Sequence, residues 1–372
     1  MKSIELSKKV GGKIEIISKQ KLNQKMLPVL YTPGVADVSK AIAKNKKLSF
    51  EYTIRKNTVA VISDGSAVLG LGNIGPEAAL PVMEGKALLF KELGGVDAIP
   101  IVLATQDTEE IIEIIKKLSP TFGGINLEDI AAPRCFEIEE RLKKELDIPV
   151  FHDDQHGTAI VVLAALINAL KVVDKKIEKI KIVISGTGAA GVAVCKLLIK
   201  YGAKNIIMID SQGIIYSGRK GLNKSKIEIA KFTNHKKIKG TIKDAVVGAD
   251  IFIGVSKAGL LNSKDIKTMN RDAIVFAMAN PIPEIMPSEA KKGGASVVAT
   301  GRSDFSNQIN NVLAFPGIFR GVLDYKVKQI TDQHKILAAQ AIAHLVKNPK
   351  SGIIIPKALD ERVAKAVSKV FK

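Results

Sequence analysis

The chain has 372 residues, 46% of them apolar and 25% charged, enough for two domains with a sizeable core and too rich in Ile, Val, Leu and Ala for general disorder. Its 56 Lys and Arg against 37 Asp and Glu leave a net charge of +19. The lysines are scattered, Trp is absent, and no basic–aromatic alternation offers a stacking platform, so nucleic acid is not the expected partner.

In the first half, Val59–Ser63 and Ala98–Ala104 read as strands, while Thr108–Lys117 and Cys135–Leu146 have helical spacing. Gly157 to Leu170 is the longest uncharged apolar run; it reads as a buried helix, too short to span a bilayer. From Ile177 onward, strand candidates Ile180–Ser185, Asn205–Asp210, Asp250–Val255, Ala273–Met278 and Ser296–Thr300 alternate with amphipathic helices. That alternation predicts an α/β fold, a parallel sheet with helices on both faces. Tyr325 to Lys372 reads as two helices broken at Asn348-Pro349-Lys350-Ser351-Gly352. The texture changes near Asp153–His156, so the expected domains are 1–155 and 156–372, with the last helices, from about 312, packing back onto the first. Cys135 and Cys195 cannot build a disulfide framework or a cysteine zinc site. No export leader is evident, and the expected compartment is the cytosol, without a membrane partner.

Two stretches match G-x-G-x-x-G. Gly186-Thr187-Gly188-Ala189-Ala190-Gly191 follows one strand and opens the helix Val192–Tyr201, and the next strand ends at Asp210. Gly186 permits the turn, Gly188 lets backbone approach a pyrophosphate, and Gly191 lets helix and strand pack closely. The helix N-terminus presents free N–H groups to the phosphates, and Asp210 would accept from the adenosine ribose. This is the expected nicotinamide dinucleotide site. The second match, Gly70-Leu71-Gly72-Asn73-Ile74-Gly75, runs into Pro76 and lacks a suitably placed acid; it reads as a tight turn.

Glu128-Asp129 and Asp153-Asp154 end apolar segments beside turn residues. Such hard oxygen ligands suit Mg²⁺ or Mn²⁺, although from spacing alone helix capping and surface charge are slightly favoured. His152 and His156 flank the second pair without a third nitrogen or sulfur ligand, which makes them packing groups or supports of the acids rather than a zinc site. Lys86 precedes an apolar helical stretch; apolar surroundings would lower its pKa and fit it to act as a base. Tyr31 precedes the Pro33-Gly34 turn. Taken singly, each of these two is more readily a solvated lysine and a half-buried ring.

Jointly the segments are specific. YTPGVADVSKAIA, ISDGSAVLGLGNIG, PVMEGKALLFK, INLEDIAAPRCFEIE, FHDDQHGTAIV, SGTGAAGVAV, FAMANPIPE and TGRSDFSNQINNVLAFPGIFRG resemble malic enzyme in its short microbial form, from about Lys13 to at least Asp324. The resemblance implies an N-terminal substrate domain and a Rossmann-type domain, oxidative decarboxylation of malate to pyruvate and CO₂, reduction of NAD or NADP, a divalent metal and a homodimer. It implies Tyr31 as general acid and Lys86 as general base. Glu128, Asp129 and Asp154 would hold the metal, with Asp153 paired to Lys86. Asn280 and Asn311 would contact substrate and the nicotinamide end, and Thr187 to Ala190 the pyrophosphate.

The larger forms carry Arg in a D-G-x-R segment, whereas this chain has Asp64-Gly65-Ser66-Ala67, so Arg302 is read either as a substitute clamp for the malate carboxylate or, equally, as a structural ion pair. Asp210 favours NAD, although Ser211, Gln212 and Arg219 could shape a pocket for a 2′-phosphate. Two rivals stand: a malolactic-type enzyme without net redox, and a basic nucleic-acid-binding regulator using the dinucleotide domain as a sensor.

Overall fold

The computed structural model describes residues 3–68 and 70–372; Leu69, inside the Ile62–Gly75 segment, lies outside them. The chain opens with helices α1 (Ser3–Val10), α2 (Leu27–Leu30), α3 (Val35–Lys44) and α4 (Ser49–Tyr52), none of which buries a residue.

Strict strand–helix alternation then builds the first sheet: β1 (Thr58–Ser63), α5 (Pro76–Gly94), β2 (Asp97–Val102), α6 (Thr108–Leu118), β3 (Gly124–Leu127), α7 (Arg134–Glu145) and β4 (Val150–His152). Its order is β2-β1-β3-β4, all parallel. The first half is therefore as regular as the second. Strands β3 and β4 escape the sequence reading because runs of four and three residues carry no usable period.

Helix α8 (Asp153–Val172) follows β4 directly, so residues 153–156 are its first turn rather than a linker. By length and composition it could cross a membrane, but 78% of its apolar window is buried inside the protein. It is apolar on every side because it runs through the middle of the molecule, against α9 (Ala189–Tyr201) and α15 (Asp332–His344).

The second sheet has the order β10-β9-β8-β5-β6-β7. It comprises β5 (Lys181–Ser185), β6 (Asn205–Asp210), β7 (Gly213–Ile214), β8 (Ile251–Gly254), β9 (Ala273–Ala277) and β10 (Ala295–Thr300). Only β7 is antiparallel. Besides α9, its connections carry α10 (Lys224–Ala230), α11 (Ile242–Val246), α12 (Ser263–Lys267) and α13 (Pro287–Lys292). All five strands expected here are present, within a residue or two of the expected ends.

The end of the chain returns. Helices α14 (Phe315–Asp324) and α16 (Arg362–Ser368) pack on α5. Phe90 of α5 meets Phe315 and Phe319 with ring centroids 4.7 and 5.2 Å apart. One core cluster thereby runs from β1 and α5 through α8 to the second sheet.

Candidate active site

In parallel sheets, ligands settle beyond the carboxyl ends of the strands where the order reverses. The first sheet reverses beside β1, and there the chain places its acids: Asp64 after β1, Glu128 and Asp129 after β3, Asp153 after β4. Asp129 has φ of 54°, an uncommon left-handed conformation that turns the chain at the strand end. Asp153 and Asp154 form the first turn of α8, where the positive end of the helix favours carboxylates.

The site is tightly coupled. Lys86, 8% exposed, donates to Asp153 Oδ2 at 2.6 Å and lies 2.8 Å from Glu128 Oε1. Asn311 Nδ2 donates to the same Asp153 oxygen at 2.6 Å, and the backbone N–H of Asp129 to Asp154 Oδ2 at 2.8 Å. Asn126 supports Glu128 at 3.0 Å. Gly157, one turn along α8, makes room for this arrangement, since a Cβ there would stand 1.8 Å from Asp153 Oδ1.

Glu128, Asp129 and Asp154 each offer an oxygen within 4.8 Å of the others. Burial and mutual repulsion make their ionised forms costly: Asp129 is pushed up to about 9 by burial and by Asp154 and Glu128, and Asp154 to about 6 by burial. Asp129 Oδ2 is buried without a partner. Concentrated negative charge, an orphaned oxygen and an all-carboxylate donor set fit a hard divalent cation. Lys86 departs from expectation. Burial lowers its pKa, as foreseen, but Asp153 and Glu128 outweigh burial and hold it above the ordinary lysine range.

Facing the acids across a cavity of about 500 Å³ are Gly188, Ala189 and Ala190 of the dinucleotide loop, with Asn280 and Asn311. A second cavity of about 590 Å³ runs from Gly186, Thr187 and Gly188 to Asp210. The loop has the close packing that a dinucleotide needs: a Cβ on Gly191 would lie 2.0 Å from the Gly186 carbonyl, whereas one on Gly188 would meet nothing within 4 Å. Gly70-Leu71-Gly72-Asn73-Ile74-Gly75 is a turn, bridged at Val68–Gly72, whose Gly70 lines the first cavity.

Two expected members stand apart. Tyr31 is 66% exposed and does not line the acid cavity. Arg302 is engaged: Nε and Nη2 grip Asp304 at 2.9 and 2.7 Å, and Nη1 donates to the Pro281 carbonyl at 2.8 Å. No Arg or Lys is among the described residues lining the acid cavity, and Ala67 forms part of its wall.

Other supports carry no local signal in the sequence. Glu284, fully buried, accepts from the backbone N–H of Ser256 and Ala279 at 2.9 and 3.0 Å, fixing the loop that bears Asn280. Glu139 accepts from the backbone N–H of His152 at 3.1 Å and sits 2.8 Å from His156 Nε2, so both histidines are supports.

Fold and site together define an α/β oxidoreductase that sets a carboxylate cluster, suited to a divalent cation, opposite a Rossmann-type dinucleotide loop. Two family models match: malic enzyme, N-terminal domain, over residues 11–143, and malic enzyme, NAD binding domain, over 155–370. The chain is 57% identical over 371 residues, 99% of itself and 90% of the relative, to a bifunctional malic/malolactic enzyme of Bacillus subtilis. It is also 57% identical to an NAD-dependent malic enzyme of Geobacillus stearothermophilus, covering 96% of this chain and 75% of that one. The crystal structure of an NAD-dependent malic enzyme from Thermotoga maritima superposes with a TM-score of 0.97 at 49% identity, over 100% of this chain and 99% of that one. The chain belongs to the malic enzyme family.

Proposed function

We propose that this chain oxidatively decarboxylates malate to pyruvate and CO₂ with reduction of NAD, using Mg²⁺ or Mn²⁺. The carrying observation is that Glu128, Asp129 and Asp154 cluster within 4.8 Å beside the buried Lys86–Asp153 pair, and that Asp129 and Asp154 share one cavity with the dinucleotide loop. Residues 1–155 form the substrate and metal domain and 156–372 the dinucleotide domain, with the final helices closing back on the first. The bound groups supply Lewis-acid stabilisation of charge on the substrate oxygen and a hydride acceptor.

The chain's own residues do the rest. Lys86 removes the malate hydroxyl proton, oriented by Asp153, which Asn311 holds from the other side. Glu128 is one of the two carboxylates keeping Lys86 protonated. As a ligand of a bound cation, Glu128 would attract Lys86 less strongly, which would ease loss of the lysine's proton. Asn280 and Asn311 contact substrate and the nicotinamide end. Gly186 to Gly191 receive the pyrophosphate and Asp210 the ribose.

Tyr31 donates the proton to C3, and a second copy of the chain is what brings it there. The segment from α1 to α3, loops included, buries nothing of its own and exposes Ile4, Ile16, Ile17, Leu22, Val29 and Tyr31, all above 60%. So long an apolar surface calls for a partner. The reading is thus a cytosolic homodimer whose acid crosses between protomers.

A second reading, malate to lactate with the hydride returned, uses the same residues and is favoured by the Bacillus subtilis relative's description as bifunctional. One assay tests both: malate, Mn²⁺ and NAD, following reduced cofactor, with and without chelator. Reduced cofactor in step with malate loss is expected. Lactate without reduced cofactor supports the second reading, and unchanged malate refutes both.

A further inference from the structure

Helix α8 has a histidine as its cap. His152 closes β4, and its Nδ1 accepts the backbone N–H of Gln155 at 3.3 Å. A ring nitrogen that accepts carries no proton, so the proton of this ring sits on Nε2. That Nε2–H is buried and has no hydrogen-bond partner among the described residues. Buried donors are nearly always paired, because an unpaired one is costly. The carboxylate oxygen it faces is Asp154 Oδ2, 3.9 Å away and too far for a bond.

The two groups differ in freedom. His152 is fully buried, and its backbone N–H donates to Glu139 Oε1 at 3.1 Å. Glu139 is held in turn, with Lys143 Nζ and His156 Nε2 lying 2.5 and 2.8 Å from its oxygens. The Asp154 side chain is 31% exposed and lines the acid cavity, and its Oδ2 accepts the backbone N–H of Asp129 at 2.8 Å. A carboxylate oxygen has room for a second donor. A small turn of the acid would bring Oδ2 onto the imidazole N–H, while the ring stays where the cap and Glu139 hold it.

We propose that His152 is a positioning residue for the divalent cation: its Nε2–H takes Asp154 Oδ2 and fixes the turn of that carboxylate as a ligand beside Glu128 and Asp129. The inference rests on the metal site assigned under Proposed function. A ligand carboxylate held by a neighbouring donor binds metal more tightly, since its orientation is settled in advance. The cap uses Nδ1 alone, which leaves Nε2–H for the acid. Helix capping and metal support thus belong to opposite edges of one ring, and substitution can part them. Asn offers an oxygen where Nδ1 stands and nothing in place of Nε2, whereas Gln offers an amide N–H near Nε2 and no cap acceptor.

The test is calorimetric titration of Mn²⁺ into the full-length protein without cofactor, beside thermal unfolding in metal-free buffer. His152→Asn should weaken Mn²⁺ binding about tenfold or more while melting within about 2 °C of the parent. His152→Gln should melt about 2–4 °C lower, for want of the cap, yet keep Mn²⁺ affinity within about threefold. In the unsubstituted protein, saturating Mg²⁺ should move the His152 Nε2–H proton resonance downfield as the bond to Asp154 forms. An Asn variant that binds Mn²⁺ as tightly as the parent, a Gln variant that loses as much affinity as the Asn variant, or an unmoved resonance would each overturn the proposal. Asp154→Asn separates the two levels. Mn²⁺ binding abolished there but unweakened in His152→Asn refutes this inference alone, whereas binding unchanged in Asp154→Asn refutes the metal site.

Discussion

Replacing Gly157 by Ala sets two local rules against each other. In a helix interior the substitution ordinarily stabilises by about 0.5–1 kcal/mol, through backbone entropy. Here the new methyl would stand 1.8 Å from Asp153 Oδ1 and 3.1 Å from Asn311 Cβ. The carboxylate must rotate, and its other oxygen carries both the 2.6 Å bond from Lys86 and the 2.6 Å bond from Asn311. Charge-assisted bonds of this kind contribute about 1.5–3 kcal/mol each. Losing the better part of both outweighs the helix gain and leaves a net destabilisation of about 2 kcal/mol. The lysine, displaced by a fraction of an ångström to an ångström, should lose about 10²-fold in turnover. Thermal unfolding and kcat with malate and Mn²⁺ measure the two effects separately. A Gly157→Ala enzyme that melts higher and turns over normally would refute the reasoning, because it would show that Asp153 does not need its present position.

Lys86→Ala should cost at least about 10²-fold in turnover, with dinucleotide binding by calorimetry nearly unchanged, since Lys86 is paired with Glu128 and Asp153 and lines neither cavity of the dinucleotide loop. Tyr31→Phe and Lys86→Ala chains, each inactive alone, should regain about a quarter of parental activity when unfolded and refolded together, because half the dimers would be mixed and each would hold one intact site. Failure to recover would mean that the tyrosine serves its own protomer or none. Burial lifts Asp153 to about 7, alongside Asp129 and Asp154 at about 9 and 6. These values stand above those of the unfolded chain, so the stability they contribute at low pH is lost as pH rises through about 6 to 9. A cation that needs the ionised forms reverses this, and the rise in melting temperature given by Mn²⁺ should be larger at pH 8 than at pH 5.5. An equal shift at both pH values would remove the carboxylates as its ligands.

Much of the second sheet could be read from the chain because its signals are local. Gly186 to Gly191, the strand before them and Asp210 after the next strand fall within one strand–helix–strand unit, where backbone sterics and a two-residue period act at short range. The chemical types of the site were equally legible, since Glu128, Asp129, Asp153 and Asp154 sit at turn-flanked ends of apolar segments. What neighbours do to those types was not. Lys86 has apolar sequence neighbours, yet its charge state is set by Asp153 and Glu128, far along the chain and 2.6 and 2.8 Å away. Asp210 reads as a free ribose acceptor until folding brings Arg219 and Lys226 against it. Arg302 reads equally as a clamp or as a structural ion pair, and Asp304 decides for the pair. A side chain's identity, its local period and its turn chemistry belong to the sequence. Its pKa, its free lone pairs and its access to a ligand depend on charges and walls from distant segments, and only the packed structure decides those.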